Sequence, residues 1–490
     1  MTIHEDYFNL TLKWKREYGE KTIILMQVGS FYEVYALKDE KNVIYGSNIV
    51  EYAKTNDLVI ANKQIRVMGP INDVVSEKKS YDLVMAGFGL TQLDKYVSKL
   101  QNTGYTIVVY DQDIQGKNTT RSVSEIISPG TYFSSTSDNP SNHTMCIWVE
   151  KSRAKKKLPS QVTIGMSWID IFTGKTRISQ ITREYTHNPT TYDELERIVA
   201  INNPSECIVV TDQEETFMDD IINFAGITSQ KIHKICLEET SDVSRLAVRA
   251  QKQTYQQSVF ERFYPTTSID HIISEMPTHI LAIQSFVFLL DFIYTQNPNL
   301  VDKMTLPLFE SANDTLVLAN HSLQQLNIID EGRHSGRLSS VSSLLNHCVT
   351  MMGKRKFLYN LHNPITNIAE LQSSYDITEH LLQNGSWNSM RHNMKEIHDI
   401  EKLQRKIIIK KITPRDIGTF YLDLQKIFSL DKEVLEDEET SKYIKERLES
   451  MRSAGNTQHL KGREINEICK EIIDDINRNF AVNKLSLIHI

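Results

Sequence analysis

The sequence predicts a multidomain chain of two mixed α/β modules followed by an all-α region. Three observations predict it. The length of 490 residues accommodates about three domains of the usual ~100–200 residues. The first half alternates short compact apolar runs with segments of helical period, whereas from about residue 277 strand signals fade and 3.6-residue patterns take over. A stretch rich in Ser, Asp, Asn and Pro, Ser134 to Asn142, separates the first module from the second.

The elements follow in order. Tyr7 to Tyr18 is polar with spaced apolar residues and predicts a surface helix. Ile23 to Val28 is a compact apolar run that predicts a buried strand, ending at Gly29-Ser30 before Phe31-Tyr32-Glu33. Tyr81 to Met85 predicts a strand stopped at Ala86-Gly87. Leu90, Leu93, Val97 and Leu100 have helical spacing, Gly104 closes that helix, and Tyr105 to Tyr110 returns as a strand. In the second module Val162 to Phe172 reads as a strand, Thr173-Gly174-Lys175 as a hairpin turn, and Thr176 to Ile181 as the return strand. Tyr192 to Ile201 is helical and Cys207 to Val210 is again a strand, so a sheet with covering helices is expected. Beyond it, Val341, Leu344, Leu345 and Cys348 mark one helical face, and Ile417, Tyr421, Leu424 and Ile427 another. Residues 431 to 450 interleave Glu and Lys as a solvated helix does. The expected domains are therefore 1–135, 136–270 and 271–430, with 431–484 continuing as an incomplete helical arm.

Composition narrows the function classes. A chain that is 40% hydrophobic and 24% charged is globular, and a net charge of −7 argues against a broad electrostatic grip on nucleic acid or on a membrane surface. The five cysteines are far apart and form no C-x-x-C pair, which disfavours a disulfide framework or structural zinc and suits a reducing, intracellular compartment. No run reaches the ~20 apolar residues of a membrane span. Ile280 to Tyr294 comes nearest, but Gln284, Ser285 and Asp291 mark it as a buried helix. Met1 to Leu10 carries Glu5 and Asp6 and has no apolar core of a secretory leader.

Catalytic patterns are sparse. Among the Gly-Lys pairs only Gly174-Lys175 precedes a Ser or Thr, Thr176, and Ile169 stands where a P-loop needs glycine. No H-E-x-x-H, G-x-S-x-G or G-x-G-x-x-G occurs. Asp170 lies on a strand as the first carboxylate of an RNase H-like nuclease would, but a two-metal site needs further carboxylates that the sequence does not place. A strand-end aspartate is its ordinary reading. By spacing alone Phe31 and Tyr32 also read as core aromatics, and Glu33 as the start of a helix.

Gly29-Ser30-Phe31-Tyr32-Glu33 resembles the mismatch-reading motif of the MutS family of DNA mismatch repair proteins. Met85-Ala86-Gly87-Phe88, Tyr96 and Lys99-Leu100 resemble that family's MAG segment. Gly104 to Val109 with Gln112, and Arg121-Ser122-Val123 through Ser128-Pro129-Gly130-Thr131, resemble the strands that close its first domain. Further on, Gly165 to Lys175 and Glu196 to Glu206 are similar to the family's connector segments, Leu344 to Pro364 to its core segment, and Ile397 to Arg405 and Thr413-Pro414-Arg415-Asp416 to segments of its lever helices. Four first-domain motifs in order are far more specific than any one of them. Gly89, Thr91, Asn346, Cys348 and Asn360 depart from the usual residues and suggest a divergent branch, such as those of giant viruses or octocoral mitochondria.

The resemblance implies a mismatch-recognition domain, an RNase H-like connector without nuclease activity, and a helical core and lever domain. It implies that Phe31 wedges at a mispair and that Glu33 bonds the displaced base. Burial beside phosphates would favour the neutral acid at Glu33. Lys63, Arg66, Lys78, Lys79 and Lys117 are candidates for phosphate contacts, and Lys151, Arg153 and Lys155 to Lys157 form a basic loop. The partner implied is double-stranded DNA with mismatches or small loops. The full-length parent would be a homodimeric, DNA-dependent ATPase using ATP and magnesium. This chain carries none of the ATP-binding, catalytic or metal residues and is not itself expected to be an enzyme. Leu485 to Ile490 reads as the translated end of a sequencing adapter, so truncation is expected. Two other readings are a branched-DNA nuclease and a MutS relative with a non-mismatch role, though relatives of that kind typically lack the Phe-x-Glu pair.

Overall fold

Ile23 to Val28 has almost no side chain that water would stabilise, and it becomes the inner strand of the first sheet. In the computed structural model β1 (Thr22–Val28) pairs antiparallel with β2 (Phe31–Lys38) and parallel with β6 (Thr106–Gln115). With β3 (Ile44–Tyr45), β4 (Ala61–Met68), β5 (Ser80–Gly89) and β7 (Asn118–Ile127) the sheet has seven strands, in the order β4-β5-β2-β1-β6-β7, and β3 pairs with β2. Helix α1 (Ile3–Tyr18) buries Tyr7, Phe8 and Trp14, and Tyr7 packs edge-on against Tyr35. The opposite face, carrying Tyr32 and Phe88, receives Tyr96 of α3 (Leu93–Gln101), stacked on Phe88 at 4.4 Å. Helix α2 (Ile49–Asn56) buries Ile49 and Tyr52 in the same core. The structure describes residues 3–71, 74–115, 118–134, 139–152, 159–265, 279–310, 315–317, 322–329, 336–454 and 465–480.

Two expectations change here. Phe31-Tyr32-Glu33 begins a strand, not a helix. Ala86-Gly87 does not stop β5, because these small residues pair with Val34 and Glu33 and let the two backbones lie close. A Cβ on Gly87 would stand 2.6 Å from the Tyr32 carbonyl oxygen.

The chain divides into two compact units, one of Met1–Ile171, Gln180–Tyr185 and Asn203–Val301, the other of Phe172–Ser179, Thr186–Asn202 and Asp302–Ile490. The first contains most of a second sheet. There β8 (His143–Lys151) pairs antiparallel with β9 (Gln161–Asp170) and parallel with β11 (Glu206–Thr211), which pairs parallel with β12 (Lys231–Cys236); β10 (Lys175–Glu184) lies beyond β9. Helix α4 (Asp193–Asn202) precedes β11, and α5 (Glu215–Phe224), α6 (Asp242–Ala250) and α7 (Gln253–Phe263) flank β12 in the chain. Helix α8 (Ile280–Gln296) is apolar on every side and is buried along nearly its whole length. It crosses β9 at Gly165, where a Cβ would lie 2.2 Å from the Leu281 backbone, and Gln180 Oε1 accepts the N–H groups of Leu281 and Ala282 at its start.

The two sheets meet at a buried carboxylate. Glu206 accepts hydrogen bonds from Ser128 Oγ, from Gly130 N at 3.0 Å, and pairs with His233 Nε2 at 2.5 Å. Burial alone would raise its pKa, but His233, Lys231 and Ser128 reverse this and hold it below the usual value. Lys231 donates to Tyr18 O at 2.9 Å and to Thr106 Oγ1, and burial draws its pKa down to about 8 against the pull of Glu206. The Ser128–Thr131 turn is also tied to Gln296 and Thr144, so it is bonded on three sides.

The second unit is mostly helical. Among the described residues its helices are α4, α9 (Ser322–Gln325), α10 (Val341–Leu345), α11 (Met351–His362), α12 (Ile368–Asn384), α13 (Trp387–Met394), α14 (Ile400–Ile408), α15 (Pro414–Glu436), α16 (Glu438–Ala454) and α17 (Ile465–Asn479). Arg355 of α11 forks onto Asp399 at 2.6 and 2.7 Å and onto Glu401 at 2.5 and 3.0 Å, joining α11 to α14. Arg405, almost fully buried, donates to the Asp302 carbonyl at 2.6 Å and lies under Gly174, whose φ of 73° makes the Thr173–Lys175 turn. Thr413 and Asp416 form a capping box that starts α15. Ile417, Tyr421, Leu424 and Ile427 do share one face, packed on Cys469, Ile472, Ile473 and Ile476 of α17.

Arg355→Ala leaves Asp399 without its cation and Glu401 with Lys175 alone, and should cost about 3 kcal/mol, read as a lower denaturation midpoint. Between about pH 8 and pH 10.5 the unfolded chain binds a proton that folded Lys231 has released. Stability contributed there therefore rises with pH, and Lys231→Met should remove that rise when the two proteins are compared by chemical denaturation at pH 8 and pH 10.

Candidate nucleic-acid interface

The hairpin between β1 and β2 sets the site. Val28 pairs with Phe31, so the loop has two residues, Gly29 and Ser30. Gly29 has φ 59°, as the first loop position of a II′-type hairpin requires. Its N–H donates to Gln112 Oε1 at 3.0 Å, Gln112 N donates to Gln27 Oε1 at 2.8 Å, and Arg121 Nε donates to Gln27 O at 2.9 Å. Ser30 O accepts from Leu90 N at 3.1 Å. Residues from β6 and β7, with Leu90 just after β5, thus brace one short turn.

Phe31 is the residue this turn leaves outside. The residue is 54% exposed, while the next six residues of β2 are buried. Tyr32 is turned inward, and its hydroxyl donates to Asp111 Oδ1 at 2.7 Å. Glu33 lies on the same face as Phe31 and Tyr35 but is only 6% exposed. Tyr35 Oη and Lys63 Nζ, the latter at 2.6 Å, both donate to its Oε2. Burial and the Glu33 hydrogen bond raise the Tyr35 pKa, which keeps that phenol a donor. His4 of α1 packs edge-on to Tyr35 at 4.9 Å, and burial and then Lys63 lower its pKa, so it adds no charge near neutral pH.

The basic candidates separate. Lys63 is engaged with Glu33, its ammonium 5.3 Å from the Tyr35 ring centre. Arg66 projects from the edge strand β4 with its side chain 78% exposed, 3.5 Å from Asp82. Lys79 pairs with Glu77, and Lys78 is exposed with no ionic partner among the described residues. Lys117, Arg153, Lys155 to Lys157 and the 485–490 tail lie outside the described residues. Asp170 accepts the Asn142 N–H at 3.0 Å at the head of β8. Among the described residues no group of three or more His, Cys, Asp or Glu side chains is placed to hold a metal ion, and no helix is long and apolar enough to cross a membrane.

Comparison with known families matches this chain to MutS domain I over residues 9–136 and MutS domain III over residues 321–489, together more than half of its length. The chain belongs to the MutS family. It is 24% identical over 457 residues to a mutS homolog of Acanthamoeba polyphaga mimivirus, covering 88% of this chain and 40% of that protein. A mitochondrial DNA mismatch repair protein mutS homolog of Sarcophyton glaucum is 24% identical over 454 residues, 81% of this chain and 42% of its own length. MutS of Clostridium kluyveri is 20% identical over 439 residues, 87% of this chain and 43% of its own. The chain thus spans about two-fifths of the length of the MutS proteins it matches.

Within this MutS chain, the Glu33–Lys63 pair escapes sequence reasoning because β5 lies between the two strands and the register of β4 is irregular. Between Asn62 and Arg66 the pairing shifts, and Gln64 takes φ 59°. The available signal is Gly87, which lies opposite Glu33 and leaves that face open beside it. Gly87→Ala should push β5 from β2, since the added Cβ would meet backbone at 2.6 Å and Glu33 Cγ at 3.3 Å. A loss of about 1–3 kcal/mol in thermal unfolding is expected.

Proposed function

We propose that this chain is the DNA-reading portion of a mismatch repair protein and that Phe31 is its probe. The observation that carries this reading is the exposure of one phenylalanine at a turn braced from β6, β7 and Leu90, with the next six residues of β2 buried. An aromatic ring forced into the minor groove regains stacking worth roughly 1–3 kcal/mol. Unstacking a sound step costs about a few kcal/mol. At a mispair, where stacking is already weak, insertion roughly breaks even; at matched DNA it loses. Discrimination then comes from how readily the duplex kinks, not from a base code. In this reading residues 1–135 test the duplex, 136–270 connect, and 271–484 form the helical core and lever. Arg66 and Lys78 are the cations best exposed to phosphate, while Lys79 would first have to leave Glu77.

The rest of the mechanism belongs to the full-length parent. We propose that it is a DNA-dependent ATPase that acts as a homodimer, with ATP and magnesium bound outside the residues present here. The test of the present chain is binding to a duplex with a G·T mispair or one unpaired base against a matched duplex. Phe31→Ala should reduce the preference by roughly tenfold or more, consistent with the loss of one stacked ring. A preference that persists unchanged in Phe31→Ala refutes the wedge.

A further inference from the structure

Glu33 uses its two carboxylate oxygens differently. Tyr35 Oη and Lys63 Nζ converge on Oε2. Oε1 has no hydrogen-bond partner among the described residues and is not sealed from solvent. The three side chains share one face of the sheet with Phe31. In the β2–β5 register Glu33 stands opposite Gly87 and Tyr35 opposite Met85, while Ala61 of β4 stands opposite Met85 on its other side. Lys63 follows two residues after Ala61 and returns to that face, and its chain reaches Glu33 across the Tyr35 ring. The glycine at 87 leaves the carboxylate uncovered by any side chain at that position of the intervening strand.

We infer that Lys63 and Tyr35 are positioning residues that fasten Oε2 of Glu33 and reserve Oε1 for an N–H donor on a base displaced by Phe31. The inference rests on the mismatch-reading proposed above and extends it. A carboxylate facing the phosphate backbone is repelled unless a cation accompanies it, and a side chain free to rotate spends entropy on each contact. Lys63 supplies the cation from within the protein, and two donors on one oxygen fix which oxygen faces outward. Lys63 therefore serves specificity, not backbone affinity, although it stands among the basic residues of the domain. The recognised edge is one that offers N–H, such as an unpaired thymine or guanine imide.

The experiment uses the full chain with a duplex carrying one unpaired thymine and its matched counterpart. It compares the wild type, Lys63→Met, Lys63→Arg, Tyr35→Phe, Glu33→Gln and the double variant Lys63→Met with Glu33→Gln. Lys63→Met should cut the preference for the unpaired thymine about tenfold, the scale of a hydrogen bond to a charged group. Lys63→Arg should retain most of the preference, because a guanidinium also donates to Oε2. Tyr35→Phe should lower it by less. In the Glu33→Gln background, Lys63→Met should cause no further loss of preference. Equal weakening on both duplexes in both backgrounds would make Lys63 a phosphate contact and overturn the inference. A wild-type preference that survives in Lys63→Met and Tyr35→Phe overturns this inference alone. A wild type without preference overturns the mismatch-reading and this inference with it.

Discussion

A two-residue turn governs the working end of this chain. With Val28 paired to Phe31, strand alternation leaves no freedom in where the following side chains go. Phe31 must stand at the tip, Tyr32 must enter the core beneath α3, and Glu33 must return to the face of Phe31. One inserted residue in the loop would exchange these roles and bury the wrong ring. The bonds from Gln112, Arg121 and Leu90 therefore protect a register as much as a shape.

Much of this is legible in the sequence, and the reasons are local. Ile23–Val28, the Leu93–Gln101 helix and the buried 280–296 helix declare themselves by apolar pattern, and Gly29 declares its turn. What stays hidden depends on partners distant in the chain. Strand β4 is exposed along most of its length, so no apolar alternation announces it. Glu33 reads as an acid buried beside phosphates because nothing near it in sequence supplies a cation; Lys63 does so from thirty residues away. Ala86-Gly87 reads as a stop because small residues end strands in isolation, whereas here their smallness is what β2 packs against. Glu206 gives no sign in its own neighbourhood of the serine, glycine and histidine it gathers.

The net charge of −7 acquires a specific meaning beside these ion pairs. Many of the cations of the first domain are already neutralised: Lys63 by Glu33, Lys79 by Glu77, Lys99 by Asp57. A protein that gripped any duplex through its surface would leave such residues free. Here the polar surface is largely balanced, and an unpaired apolar ring is the prominent feature at the turn.

The junction at Glu206 has a thermodynamic consequence. Its carboxylate is sealed from water and depends on donors from both sheets: Ser128 and Gly130 at the end of the first domain's chain, His233 on the second sheet. Loosening either sheet strands a charge in a dry interior, a penalty larger than that of the few hydrogen bonds broken along with it. The opening of one sheet is therefore coupled through this carboxylate to the opening of the other, although the chain between them passes through a polar linker that alone would let them come apart separately.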